Sequence, residues 1–285
     1  MNSLRNLWSA GFIGSLLVAL PACAQQAANP PLPQISQLLH EVQDHQKTLE
    51  KVRENYTYSS MQTMQDMDAR GQVTKTETRE FEIFFVNGRE IRRLVKKDGK
   101  PLDDHEQQKE TERVTKAVEE AQKPHPEQSK TSQEPNISRI LEIVEVRNPR
   151  RETYRGRPAI VFDFVGRKDA STHGLNEEVY KKLQGTAWVD EQDREVVHID
   201  VTFDDNFHVG GGLLANVEKG SNFHFDQAPV NNEVWLQTGA EGTVQARVLL
   251  VKGIHQHFAE HDSDYKRFKV ETQQGKDAKA LVEAK

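Results

Sequence analysis

The sequence predicts a mainly β protein with a few helices. Its centre is one large antiparallel sheet, apolar on one face and wet on the other, covered by an N-terminal amphipathic helix. Residues 183–203 read LQGTAWVDEQDREVVHIDVTF, a strand, a polar turn and a strand. In the second arm Val197, Ile199, Val201 and Phe203 alternate with His198, Asp200 and Thr202, the period of two that a half-buried strand requires. Several later segments repeat that grammar. Ahead of them Ile35, Leu38, Leu39, Val42, Leu49 and Val52 fall on one stripe at helical spacing.

Hydrophobic residues make up 35% of the 285 and charged residues 29%, which suits a sheet with one wet face and a charged insertion. Residues 1–24 read as an export signal. Arg5 supplies the positive end, residues 10–20 are an apolar run too short to span a bilayer as a helix, and Ala22-Cys23-Ala24 has the small-x-small pattern of a cleavage site. Two readings of Cys23 stand. Cleavage after Ala24 removes it; alternatively, Leu20-Pro21-Ala22-Cys23 resembles a lipobox, in which Cys23 would be lipidated and anchor the chain. Cys23 is the one cysteine, so removal leaves no thiol and no disulfide. The expected address is the periplasm, with no transmembrane segment after signal removal. The net charge of −6 gives no footprint for nucleic acid.

Residues 25–34 form a linker stiffened by Pro30, Pro31 and Pro33. Ser36 is placed to cap the helix that follows, which runs to about Asn55. A single domain is expected over residues 35–272. Strands are expected at residues 56–67 and 73–86, the second with Phe81, Ile83 and Phe85 on one face. Asn87-Gly88 is a two-residue hairpin signal, and the partner strand runs over residues 89–96. Asp98-Gly99 turns the chain out, and Pro101 is expected to stop the strand from resuming. Residues 102–135 are a charged insertion: a helix to about Gln122, with Val114, Ala117, Val118 and Ala121 as a thin apolar stripe, then a Pro-rich disordered loop.

A helical turn at residues 137–143 opens the second half. Strands are expected at residues 144–154 and 159–165, and a short helix or bulge precedes the 183–203 hairpin. Further strands are read at Leu213, Ala215 and Val217, at Phe223 and Phe225, and at residues 234–236. Three more follow at residues 244–250, 253–259 and 265–272, and the polar tail from Gln273 is expected to be disordered.

No catalytic constellation stands out, and no metal or cofactor is expected. His255-x-His257-x-x-x-His261 would place His255 and His257 on one face of a strand, as two metal ligands can be, but has no fixed outer ligand. Gly210-Gly211-Gly212 lacks the lysine and hydroxyl of a phosphate loop. Asp204-Asp205-Asn206 lacks the remaining oxygens of a calcium loop. The apolar residues say more. Phe81, Phe85, Phe162, Phe164, Val197, Ile199, Val201, Phe203, Phe223 and Phe225, with Trp188 and Trp235, are expected to gather on a concave sheet face. They make either an ordinary core under the helix or an apolar cavity for an acyl chain. One helix covers less than the whole of so large a sheet, which keeps the cavity in play.

Gly185-x-x-Trp188-Val189-Asp190, Lys219-Gly220-Ser221, and Val230 with Val234-Trp235-Leu236 carry a resemblance. Over roughly residues 35–272 the chain resembles the outer-membrane lipoprotein-sorting proteins, the LolA/LolB-like family of periplasmic proteins. The resemblance implies an unclosed half-barrel whose concave, apolar face is covered by helices and binds acyl chains or peptides without catalysis. The insertion at residues 102–135 is not part of the minimal fold, and Gln237 stands where relatives often have proline. The expected function is an exported, non-catalytic binding protein for lipid or lipoprotein acyl chains. The alternative is a sensor or scaffold that holds an envelope protein through a sheet edge or the insertion. A metal-dependent hydrolase using His255 and His257 is a third class.

Overall fold

The structure, a computed structural model, describes residues 30–123, 137–249 and 252–267. The expected export signal with Cys23, the Pro-rich loop after Lys123 and the tail from Gln273 lie outside the described residues. All elements below belong to the unit that begins at Leu32.

Among the described residues thirteen strands form one antiparallel sheet. The chain first lays down β1 (Tyr56–Met67), β2 (Val73–Val86), β3 (Arg89–Lys97) and β4 (Lys100–Pro101) as a meander. It returns with β5 (Val144–Tyr154), β6 (Arg157–Gly166), β7 (Leu183–Asp190) and β8 (Val196–Phe203). A side hairpin follows, β9 (Phe207–Val209) and β10 (Ala215–Val217), then β11 (Asn222–Val230), β12 (Val234–Val248) and β13 (Lys252–Arg267). Across the sheet the order is β4-β3-β2-β1-β13-β12-β11-β8-β7-β6-β5. β1 pairs with β13, so the two halves share one sheet, and β4 and β5 are left as free edges that do not meet. The tight turns sit where residues tolerate positive φ: Asn87-Gly88, Arg155-Gly156 and Asn231-Asn232.

Helix α1 (Ile35–Arg53) lies across one face. Ile35, Leu38, Leu39 and Val42, one stripe at spacings of three and four, pack on Ile160, Phe162, Ala187 and Val189. Further along, Val52 packs on Tyr56, Val234 and Leu236. The helix starts at Ile35, with Leu38 N donating to Gln34 O, so Ser36 lies inside the first turn and is not its cap. His40 Nε2 meets Ser138 Oγ at 2.9 Å, tying α1 to the short helix α3 (Ile137–Ile143).

Helix α2 (Asp104–Gln122) lies packed on the opposite face. Its start is a capping box: Asp103 accepts from Glu106 N at 2.8 Å, and the Glu106 side chain accepts from Asp103 N. Val114, Val118 and Ala121 bury Phe84 and Ile91 beneath them. Phe84 alternates with Ile83 and Phe85, so β2 is apolar on both faces where α2 covers it.

Four expectations need correction. Pro101 does not end the pairing: Lys96 pairs with Pro101, because an outermost strand has no neighbour needing the missing N–H. Leu213 is outside β10 and exposed; three glycines at positive φ just before it turn the chain too sharply for a strand. Residues 234–236 and 244–250 are one strand, β12, because Gly239 and Gly242 are paired ladder positions and not breaks. Residues 253–259 and 265 onward are likewise one strand, β13. Its acidic stretch holds a bulge, with Asp264 at φ 56, where a turn was expected.

Leu38 is fully buried at the centre of the α1 contact. Leu38→Ala is expected to destabilise the fold by about 2–5 kcal/mol, read as a lowered urea midpoint with an unchanged slope.

Candidate functional site

Register places one apolar row straight across eight strands on the α1 face. From β1 to β5 it runs Met64, Phe258, Gly242, Phe223, Val201, Gly185, Phe164 and Val146, each the direct cross-strand partner of the next. At the usual strand spacing this is a path of roughly 34 Å. Beyond Met64 the partner is Glu77, so the row ends in charge. Phe223 is 37% exposed and Met64 41%, while Val201 is buried. The next row, Ala240, Phe225, Ile199, Ala187 and Phe162, runs beside it towards α1.

The two glycines shape the row. A Cβ at Gly185 would fall 2.0 Å from Asp200 O and 2.7 Å from Phe164 Cζ; one at Gly242 would fall 2.4 Å from Asn222 O and 2.8 Å from Phe258 Cε1. Each glycine thus has a phenylalanine ring folded down over it, which a larger residue there would displace.

Of the ten residues expected on this face, Phe164, Val201 and Phe223 are in the row, and Phe162, Ile199 and Phe225 are in the next. Phe203 pairs with Leu183 one step further out, near Phe207. Phe81 and Phe85 share the face beyond β1, with the Arg92 guanidinium 5.1 Å from the Phe81 ring centre. Val197 leaves the series. A register shift puts Val196 opposite Val189, and Val196 joins the α1 cluster instead. Val197 is buried in a small cavity of about 180 Å³ with Tyr154, Ala159 and Gln227. Trp188 is on the opposite face, paired with His198, as alternation with Ala187 and Val189 requires. Trp235 stands at the turn end of the sheet, where its Nε1 donates to Asp193 Oδ2 at 3.0 Å. Met64, Phe258 and Val146 escaped sequence reasoning, as did the role of the glycines. The signal for them is register, which one strand read alone does not contain.

The same face turns polar beyond the row. Arg92 Nη2 donates to Glu260 Oε1 at 2.8 Å, Gln62 Nε2 to Glu260 Oε2 at 2.7 Å, and Ser60 Oγ to Glu260 Oε1 at 2.9 Å. Asp262, the partner of Ser60, is 3% exposed, and neither of its carboxylate oxygens has a hydrogen-bond partner. Ser60 lies against it, but its proton already goes to Glu260. Burial, reinforced by the nearby Glu260 charge, pushes the Asp262 carboxyl up to about 6.

The opposite face is wet. His198 bridges Asp226 (2.9 Å) and Asp200 (3.2 Å), and Glu241 lies between His224 (3.6 Å) and His257 (3.3 Å). Tyr154 stacks on His198 at 5.2 Å. His255 meets Asp68 O at 3.1 Å, and His261 lines a hollow of about 420 Å³ floored by Gly239 and Ala259. Among the described residues no three His, Cys, Asp or Glu side chains are placed to hold a metal ion.

A larger cleft, about 860 Å³, opens between α1 and the hairpin turns. Its lining is mixed: Leu49, Pro229, Val234 and Trp235 are apolar, and among the charged residues Glu41 pairs with Arg194 (2.8 Å) and Asp193 with Arg157 (2.7 Å). Behind it Glu195 is fully buried, facing Arg53 and Gln46 at 3.4 Å each; burial raises its carboxyl. The pairs Glu41–Arg194 and Arg53–Glu195 hold α1 to the sheet at this cleft, which is more charged than the apolar row. Among the described residues no helix is long and apolar enough to cross a membrane.

Several solved structures are similar to the chain, among them these three. One is a putative outer membrane lipoprotein-sorting protein domain from Vibrio parahaemolyticus, with 10% identity and a TM-score of 0.35 over 87% of this chain and 99% of that one. Another is a LolA superfamily protein from Nitrosomonas europaea, with 10% identity and a TM-score of 0.30 over 80% and 94%. The third is a DUF1329 family protein from Desulfovibrio piger, with 10% identity and a TM-score of 0.33 over 82% and 95%. No family model and no curated protein matches the chain.

Two outcomes follow from the geometry. Gly185→Ala is expected to cost about 1–3 kcal/mol by overpacking, whereas Gly253→Ala, with nothing within 4 Å, is expected to lie within about 0.5 kcal/mol of the parent; thermal melts check both. Asp262 binds its proton more tightly folded than unfolded. Its contribution to stability is therefore complete below the ordinary Asp range near 3.8 and is lost as pH rises through about 6, a change of roughly 3 kcal/mol. The stability difference between the parent and Asp262→Asn should shift by most of that amount between pH 4 and pH 7, in the variant's favour at the higher pH.

Proposed function

We propose that the chain is a non-catalytic binding protein of the bacterial cell envelope that holds the acyl chain of a lipid-like or lipoprotein ligand along the eight-strand row. The observation that carries this reading is the row itself, an unbroken apolar line with Phe223 and Met64 still open to solvent. An apolar side chain left in water forgoes stabilisation that burial under a ligand would supply, about 25 cal/mol per Å². Each methylene laid on the row would contribute ~0.8 kcal/mol, so a chain needs no specific polar contact. The folded-down rings over Gly185 and Gly242 keep the path low enough for a chain to follow it. Ile35 and Leu39, half-buried at the edge of the α1 contact, are placed to move with the helix as a chain enters beside Ile199. The envelope address rests on the export signal read in residues 1–24.

Delipidated full-length protein is expected to take up an uncharged fluorescent alkyl probe in a saturable way. Phe223→Asp should weaken that uptake roughly ten-fold, because it places a carboxylate in the path of the chain, with the circular dichroism spectrum unchanged at this partly exposed site. No uptake by the parent, or full uptake by Phe223→Asp, would sink the reading.

A further inference from the structure

The α1 face has two chemically distinct ends, and the polar end is short of positive charge. Three carboxylates face this region: Glu90 on β3, and Glu260 and Asp262 on β13. Among the described residues one guanidinium answers them. Arg92 is 2.8 Å from Glu260 and 3.7 Å from Glu90. Arg79, the partner of Gln62 on β2, is engaged by Glu77 at 3.3 Å. Tyr58 and Tyr265 close the region with rings 5.3 Å apart; their hydroxyls are given to Glu90 and to Gln237 O. Ser60 and Gln62 donate to Glu260. Every donor in the group is therefore committed, while both oxygens of Asp262 lack one. A buried acceptor without a donor costs free energy that any donating partner recovers. Gln62 and Glu260 stand two residues along their strands from Met64 and Phe258, about 7 Å from the end of the apolar row.

We propose that this end receives the head of the bound amphiphile, and that it selects an ammonium or another hydrogen-bond donor, such as an amide or hydroxyl, over an anionic head. The inference rests on the acyl-chain reading above and deepens it. An anion here would meet three carboxylates and one committed arginine; a donor would meet an unfilled acceptor.

The test uses delipidated full-length protein at pH 7.5 carrying an uncharged fluorescent alkyl probe. Hexadecylamine, hexadecanol and hexadecanoate then compete for it. The amine and the alcohol are expected to displace the probe at roughly ten-fold lower concentration than the carboxylate. Asp262→Asn with Glu260→Gln should bring the three within about two-fold of one another. Equal or better displacement by hexadecanoate in the parent overturns the proposal while leaving the acyl-chain reading intact, as does a double variant that keeps the parent's preference. A probe that never binds overturns both. If the double variant fails to fold, Glu260→Gln alone is measured: a reduced preference supports the proposal and an unchanged one overturns it.

Discussion

The pairing of β1 with β13 is the constraint on which everything else in this molecule depends. It joins residues as far apart as Ser60 and Glu260, 200 positions along the chain. Without it the meander of β1 to β4 and the strands from β5 onward are two separate ribbons. Bringing such distant segments together costs loop-closure entropy before any contact rewards it. The seam answers with a ten-pair register and side chains that bond across it, among them Gln256 Nε2 to Asp66 Oδ1 at 2.7 Å. Once the seam is closed, Met64 stands beside Phe258 and the apolar row gains its eighth strand.

The two faces obey different rules because α1 and α2 lie on opposite sides of the sheet. The α1 face is apolar where the helix and the row lie, then acidic and enclosed around Asp262. The other face pairs histidines with carboxylates on β8, β11, β12 and β13, and is apolar where α2 covers Phe84 and Ile91 and where Val161 pairs with Trp188. Alternation along each strand keeps these environments apart: Ile199 and His198 are neighbours in sequence and belong to different surfaces.

Much of this was legible from sequence. Alternation in Val197–Phe203 and in Phe81–Phe85 identified strands, and the stripe from Ile35 to Val52 identified α1. Where reading failed, the physical reason is specific. Gly239 and Gly242 look like breaks because glycine is rare inside strands, but Gly242 is the position that Phe258 needs empty. The run His261-Asp262-Ser263-Asp264 looks like a turn because it is acidic, though three-dimensional pairing makes it strand. Val197 fits the alternation perfectly and is displaced by a one-residue register shift that no single strand reveals. Asp262 carried no signal, since an acid in a polar segment gives no hint of burial.

The main run of the open sheet ends in two outer strands, and both carry a proline. Pro101 lies on β4, and Pro149 falls inside the bulge of β5 between Arg147 and Arg150. Each removes an amide that a foreign strand would need, and Lys100 and the arginines of β5 add charge to the same rims. A second copy that approached edge to edge would therefore find an incomplete ladder on either side. With both rims blunted, the exposed apolar row is the surface that most needs shielding during synthesis.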